Sequence, residues 1–184
     1  MARSEAATVH PEHAQHEPTS FWRRYVFSTD HKVIAIQYLV TSFAMAAVGG
    51  LLAFLMRIQL GWPDRRWPLL EAIMPNAFRG GQMNPDFYYG LVTMHGTVMV
   101  FFFLTTGLSG GFANFLIPLQ IGARDMAFPV LNMISYWLFP VSILFAVASF
   151  FVDGGAPGTG WTAYPPLSTR EPLGQTLWLI SVFI

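Results

Sequence analysis

Three long stretches of the chain, residues 33–56, 87–123 and 126–152, contain no Asp, Glu, Lys or Arg. Each exceeds the roughly 20 residues that a helix rising ~1.5 Å per residue needs to cross a ~30 Å hydrocarbon core. They predict membrane helices over about residues 32–57, 87–118 and 127–152. A fourth apolar run, residues 173–184, stops after twelve residues, about 18 Å of helix. Carbonyls left unpaired in lipid cost several kcal/mol each, so this run is expected to be the start of a fourth span in a longer protein. The expected fold class is therefore an all-α integral membrane protein.

The segments between these runs are polar or rich in helix breakers. At the start of the first helix, "STDHKV" offers Ser28, Thr29 or Asp30 as a cap. The loop from Gly61 to Asp86 is rich in Pro, Trp and Arg, and its Trp62 and Trp67 suit the headgroup belt. Pro118 is a plausible terminator of the second helix. "DGGAPGTGWTAYPPLST" has too much Gly and Pro for a helix and reads as a loop lying on the membrane. Residues 1–26 form a polar tail, disordered or interfacial, ahead of the membrane domain at 27–184. Its His10, His13 and His16, three apart, could chelate a metal on a helix, but Pro11 and Pro18 oppose one.

Composition agrees with the membrane reading: 53% of residues are apolar, 11% are charged and the mean hydropathy is +0.44. Zero net charge gives no reason to expect nucleic acid as a partner. Without cysteine there is no disulfide, thiolate site or covalent haem attachment motif. The polar start has no short apolar core of a signal peptide, so the first helix is expected to act as its own insertion signal. Charge does not orient the chain. Arg3, Arg23, Arg24, Lys32 and Arg124 fall on one side, and Arg57, Arg65, Arg66, Arg79 and Arg170 on the other.

The second run holds one imidazole, His95, in "TMHGTVMVFFFLTTG". It lies eight residues in, or ~12 Å along the helix, below the interface but off centre. A histidine at such depth is functional by default, although a bond to a neighbouring helix carbonyl would serve as a structural alternative. Imidazole is a common axial ligand of haem iron, and Gly96, Val98, Met99 and Phe102 would suit a flat apolar macrocycle. Gly107 and Gly111 form a small-xxx-small pair where another helix could approach.

"TMHGTVMVFFF", "GGFANFLIPLQIGARDMAFPVLNMISYW" and "GTGWTAYPPLST", with "FSTDHKVIAIQYL" and "LMRIQLGWP" before them, occur in the order and spacing of one family. The chain resembles subunit I of the haem-copper respiratory oxidases, of the cytochrome c oxidase aa3 type, from Phe27 to Ser168. The resemblance implies that this is the amino-terminal part of a twelve-helix catalytic subunit. Such a subunit reduces dioxygen to water with electrons from cytochrome c and pumps protons.

It implies roles for particular residues as well. His95 takes the place of an axial ligand of the low-spin haem A, and Arg57 that of the arginine bonded to its formyl group. Taken alone, Arg57 at a helix end would be read as snorkelling to the interface. Trp161 and Tyr164 match residues near the haem propionates; by default they are belt aromatics. Asp125 matches the aspartate at the mouth of a proton-uptake channel, with Asn114 and Asn132 along it and His31 and Tyr38 near its mouth. The other readings are a C-capping asparagine and an interfacial pair between Arg124 and Asp125. Asn114 is nineteen residues past His95, ~28 Å along an α-helix, which separates haem and channel mouth.

The high-spin haem, copper B and the second low-spin ligand are expected beyond Ile184. Implied partners are the lipid bilayer, subunit II with its copper centre, subunit III, cytochrome c and a respiratory supercomplex. The implied location is the cytoplasmic membrane of a bacterium, with the mitochondrial inner membrane second. Arg124, Val130 and Met133 stand where many members have Pro, Arg and Asn, and Gln59 replaces a cation-binding glutamate. Phe87 and Gly90 stand where quinol-oxidising relatives have His and Gln, so cytochrome c is the expected donor. The alternatives are a quinol oxidase, a nitric oxide reductase relative, a b-type cytochrome and a non-catalytic structural subunit.

Overall fold

A computed structural model describes residues 20–170 and 173–184; His10, His13 and His16 lie outside them. Three helices are long and apolar enough to cross a membrane: His31–Gly61, Pro85–Gln120 and Pro129–Ala148. Each starts where the sequence supplies a local reason. The Asp30 carboxylate accepts the Lys32 N–H at 2.8 Å, so of the three candidate caps it is Asp30 that closes the first helix. Asn84 does the same for Asp86, and Pro85 and Pro129 take first-turn positions where no N–H is needed.

The first helix runs four residues past the expected end, to Gly61. The second continues through Pro118 to Gln120, so this proline does not terminate it. Prolines are tolerated within membrane helices because neighbouring groups compensate for the missing N–H. From Val98 to Ala113 the second helix is wound in the wider π form, which advances less per residue than an α-helix. The third helix is shorter than expected, ending at Ala148, and a final helix spans Leu173–Phe183.

The first, second and third helices run alternately up and down. Their contacts place Tyr38, Met45, Met94, Val98, Phe102 and Phe139 in one apolar core. Most of the remaining large apolar side chains, among them Val40, Phe43, Leu104 and Leu144, point outward and are exposed. On a water-soluble protein that surface would be untenable; it suits lipid or further membrane helices.

Gly107, Gly110 and Gly111 let the first and second helices close together. A Cβ on Gly110 would stand 2.7 Å from the Tyr38 ring, and one on Gly111 would stand 2.6 Å from the Leu39 side chain. The expected close approach at Gly107 and Gly111 is therefore present, with the first helix as partner.

At the opposite end from Asp30, the loop after Gly61 is more ordered than its composition suggests. It contains a short helix, Pro68–Ile73, and a minimal hairpin pairing Phe78–Arg79 with Gln82–Met83. Phe78 and Met83 are buried beneath it with Leu91. Residues 153–166 form turns, followed by a single 3-10 turn at Leu167–Thr169. Within the nominal tail, Trp22–Val26 forms one wide helical turn rather than an irregular strand of chain.

Candidate functional site

His95 lies where the second helix passes the double glycine of the first. Its ring Nδ1 is 2.9 Å from the Gly49 carbonyl oxygen. A carbonyl can only accept, so Nδ1 carries the hydrogen and Nε2 keeps its lone pair. This is the carbonyl bond that the structural alternative expects, and it is equally the arrangement by which a second partner fixes the tautomer and orientation of a metal-binding imidazole. A Cβ on Gly49 would stand 2.5 Å from the Met99 sulfur, so any side chain there would require Met99 to shift.

The surroundings of His95 are tied down from both sides. A Cβ on Gly96 would stand 3.0 Å from the Trp161 ring, and Trp161 packs edge-on against Phe101 at 5.9 Å. Thr93 and Thr97, two residues either side of His95, are fully buried. The Thr93 hydroxyl accepts the Gly160 N–H at 2.9 Å, and the Thr97 hydroxyl accepts the Trp178 indole N–H at 2.8 Å. These bonds hold the 153–160 loop and the final helix against the second helix. The structure therefore brings Trp161 beside the His95 turn, while Tyr164 is 75% exposed. Arg57 is exposed, eight residues beyond Gly49, or ~12 Å along the helix.

A second polar cluster occupies the other end of the bundle. One Asp125 carboxylate oxygen accepts from the His31 backbone N–H at 3.2 Å and from the Met126 N–H at 2.7 Å. It also lies 3.1 Å from His31 Nδ1. Among the described residues no ion pair joins Asp125 to Arg124; the titratable neighbour of the carboxylate is His31, 1% exposed, whose Nε2 is buried without a hydrogen-bond partner. Asp125 stays about one-third exposed, so the carboxylate joins solvent to a buried imidazole.

Asn114 does not cap a helix. Its side-chain amide and that of Asn132 bond reciprocally, at 2.9 and 3.1 Å, linking the second helix to the third. Ser135 continues the line. Its hydroxyl donates to the Asn132 carbonyl at 2.7 Å and lies 3.0 Å from the Tyr38 hydroxyl. The five residues His31, Tyr38, Asn114, Asp125 and Asn132 thus gather at one end of the bundle, with His95 further along the second helix. Gly49, Ser135, Thr93 and Thr97 were not singled out by sequence. The paired Gly49-Gly50 in an apolar run was the available signal for a close approach; nothing marked which carbonyl would face His95.

The profile of the family described as Cytochrome C and Quinol oxidase polypeptide I matches residues 33–184. The alternative cytochrome c oxidase subunit 1 of Bradyrhizobium diazoefficiens is 46% identical over 156 residues, covering 85% of this chain and 24% of that protein. Cytochrome c oxidase subunit 1 of Thermostichus vulcanus is 40% identical over 175 residues, 95% of this chain and 28% of that protein. The heme-copper oxidase subunit I+III of Aeropyrum pernix is 42% identical over 164 residues, 88% of this chain and 18% of that protein. The chain spans about a quarter of the length of the first two relatives. Its three membrane-length helices and this match over most of its residues agree: the chain belongs to the cytochrome c and quinol oxidase polypeptide I family, the subunits I of the haem-copper oxidases, oxidoreductases of the membrane.

Proposed function

We propose that this chain is the amino-terminal part of a proton-pumping terminal oxidase in a bacterial cytoplasmic membrane, and that it supplies one axial ligand of a low-spin haem A through His95. The observation that carries this is the 2.9 Å contact between His95 Nδ1 and the Gly49 carbonyl, which leaves Nε2 available to iron. The residues fit the group. Gly49 and Gly96 keep the helices free of side chains beside the imidazole, and Trp161 bounds the same turn. When bound, the haem relays single electrons. Arg57 would donate a charge-assisted hydrogen bond to the formyl group, and Trp161 and Tyr164 would lie towards the propionates.

On this reading Asp125 collects protons at the membrane surface and hands them inward past His31. The Asn114–Asn132 pair, Ser135 and Tyr38 then supply neutral polar groups that order water without trapping charge. The high-spin haem, copper B and the remaining haem ligand belong to the part of the subunit beyond this chain. Cytochrome c is the favoured electron donor because relatives carry that name and because Phe87 and Gly90 replace the quinol-side His and Gln. Subunit II and subunit III are the expected partners, the latter supported by the fused I+III name of the Aeropyrum relative.

The test is a reduced-minus-oxidised optical spectrum of the full-length protein with its partners. A red-shifted band of low-spin haem A is expected; its absence would refute the aa3 assignment and favour a family member with another haem, such as a quinol oxidase.

A further inference from the structure

The oxidase reading leaves unused the turn that precedes the first membrane helix. Phe21, Trp22, Tyr25 and Phe27 are all exposed there, at 47–65% of their surface, with Arg23 and Arg24 exposed between them. Aromatic side chains in such number would be costly in water. At the end of a membrane helix they lie at headgroup depth.

This turn is fastened to the bundle rather than trailing from it. The Gln37 side-chain amide donates to the Tyr25 and Val26 carbonyls at 2.6 and 3.1 Å. The Trp137 indole N–H donates to the Val26 carbonyl at 3.2 Å, and Phe27 stacks on Trp137 with ring centroids 5.1 Å apart. Two membrane helices therefore fix the height and orientation of the turn. Its arginines are held with it, and Arg24 lies 5.4 Å from the Tyr25 ring.

Among the described residues, neither arginine has an acidic partner. Of the described residues at this end, Asp30 caps the first helix and Asp125 lies beside His31. Exposed Lys32, in the first turn of the membrane helix that follows, adds a third cation. Fixed cations set among membrane-depth aromatics suit an anionic phosphate at the same depth.

We propose that Phe21–Phe27 is a docking surface for the headgroup of an anionic phospholipid, its phosphate held by Arg23 and Arg24 and its glycerol and upper chains by Trp22 and Tyr25. This stands apart from the haem and proton assignments. Each cation near an anionic surface contributes about a fivefold gain in binding, so the two arginines give roughly twenty-five-fold.

The full-length complex in neutral detergent, stripped of native lipid, is titrated with phosphatidylglycerol and separately with phosphatidylcholine, and bound lipid is counted by native mass spectrometry. Wild type should retain at least one phosphatidylglycerol molecule in preference to phosphatidylcholine. Arg23→Gln/Arg24→Gln should weaken that binding roughly twenty-five-fold and leave phosphatidylcholine unchanged, whereas Arg23→Lys/Arg24→Lys should retain most of it. An unchanged melting temperature is the folding control. Equal retention of the two lipids by wild type, as when another subunit covers the turn, would overturn the proposal. So would a Gln double variant that keeps the wild-type preference.

Discussion

His95 and Asp125 show how far a single residue can be read. An imidazole within 37 residues free of Asp, Glu, Lys and Arg is conspicuous in the sequence, and its depth follows from counting. Its partner is not legible, because a backbone carbonyl carries no side-chain identity; only the fold shows that Gly49 faces it. The same holds for His31 and Asp125, 94 positions apart yet 3.1 Å from one another. A close pair between neighbours Arg124 and Asp125 was the natural local expectation, and the helix start at His31 displaces it. At this scale Arg57 gives a sharp prediction. Arg57→Met removes a charge-assisted donor from the haem formyl group, so the low-spin absorption band of the full-length protein should shift to the blue. A band at the wild-type wavelength would mean that Arg57 is only an interfacial anchor.

Helices were legible from the length of their uncharged runs, because a bilayer demands that length and tolerates few charges within it. Their ends were less so. Pro118 marks a stop in water-soluble proteins, yet here the helix passes through it. The hairpin at Phe78–Met83 was invisible, since strands of two residues carry no alternation to detect. Packing between elements can be tested at the glycines. The Tyr38 ring that Gly110 faces is held by Ser135 and flanked by Tyr136 and Phe139, so it has little freedom to move aside. Gly110→Ala should destabilise the bundle by about 1–3 kcal/mol, seen as a lower melting temperature in detergent. Gly50, one residue from the His95 contact, has nothing within 4 Å of an added Cβ. Gly50→Ala should leave the melting temperature unchanged or raise it slightly. Equal effects at both positions would show that helix contact at Gly110 is not what limits stability.

Across the whole bundle, the two polar clusters stand towards opposite ends: His95 with Trp161 and Arg57 on one side, Asp125 with His31 and the asparagine pair on the other. The sequence separated them by residue count, and the structure keeps that order. Such a layout predicts that the two functions fail independently. Asp125→Asn keeps the size of the side chain and an acceptor for the Met126 and His31 N–H groups, but loses the ionisable carboxylate. Haem reduction by the donor should stay near normal, while oxygen consumption in vesicles falls about tenfold or more, a barrier increase of ~1.4 kcal/mol, and proton release falls with it. Full turnover and pumping in that variant would place proton uptake elsewhere. The most direct test of the account is His95→Ala in the full-length subunit, followed by the reduced-minus-oxidised optical spectrum. Loss of the low-spin haem A band with the polypeptide still assembled is the expected result. A low-spin band of wild-type position and amplitude would contradict the assignment of His95 as a haem ligand.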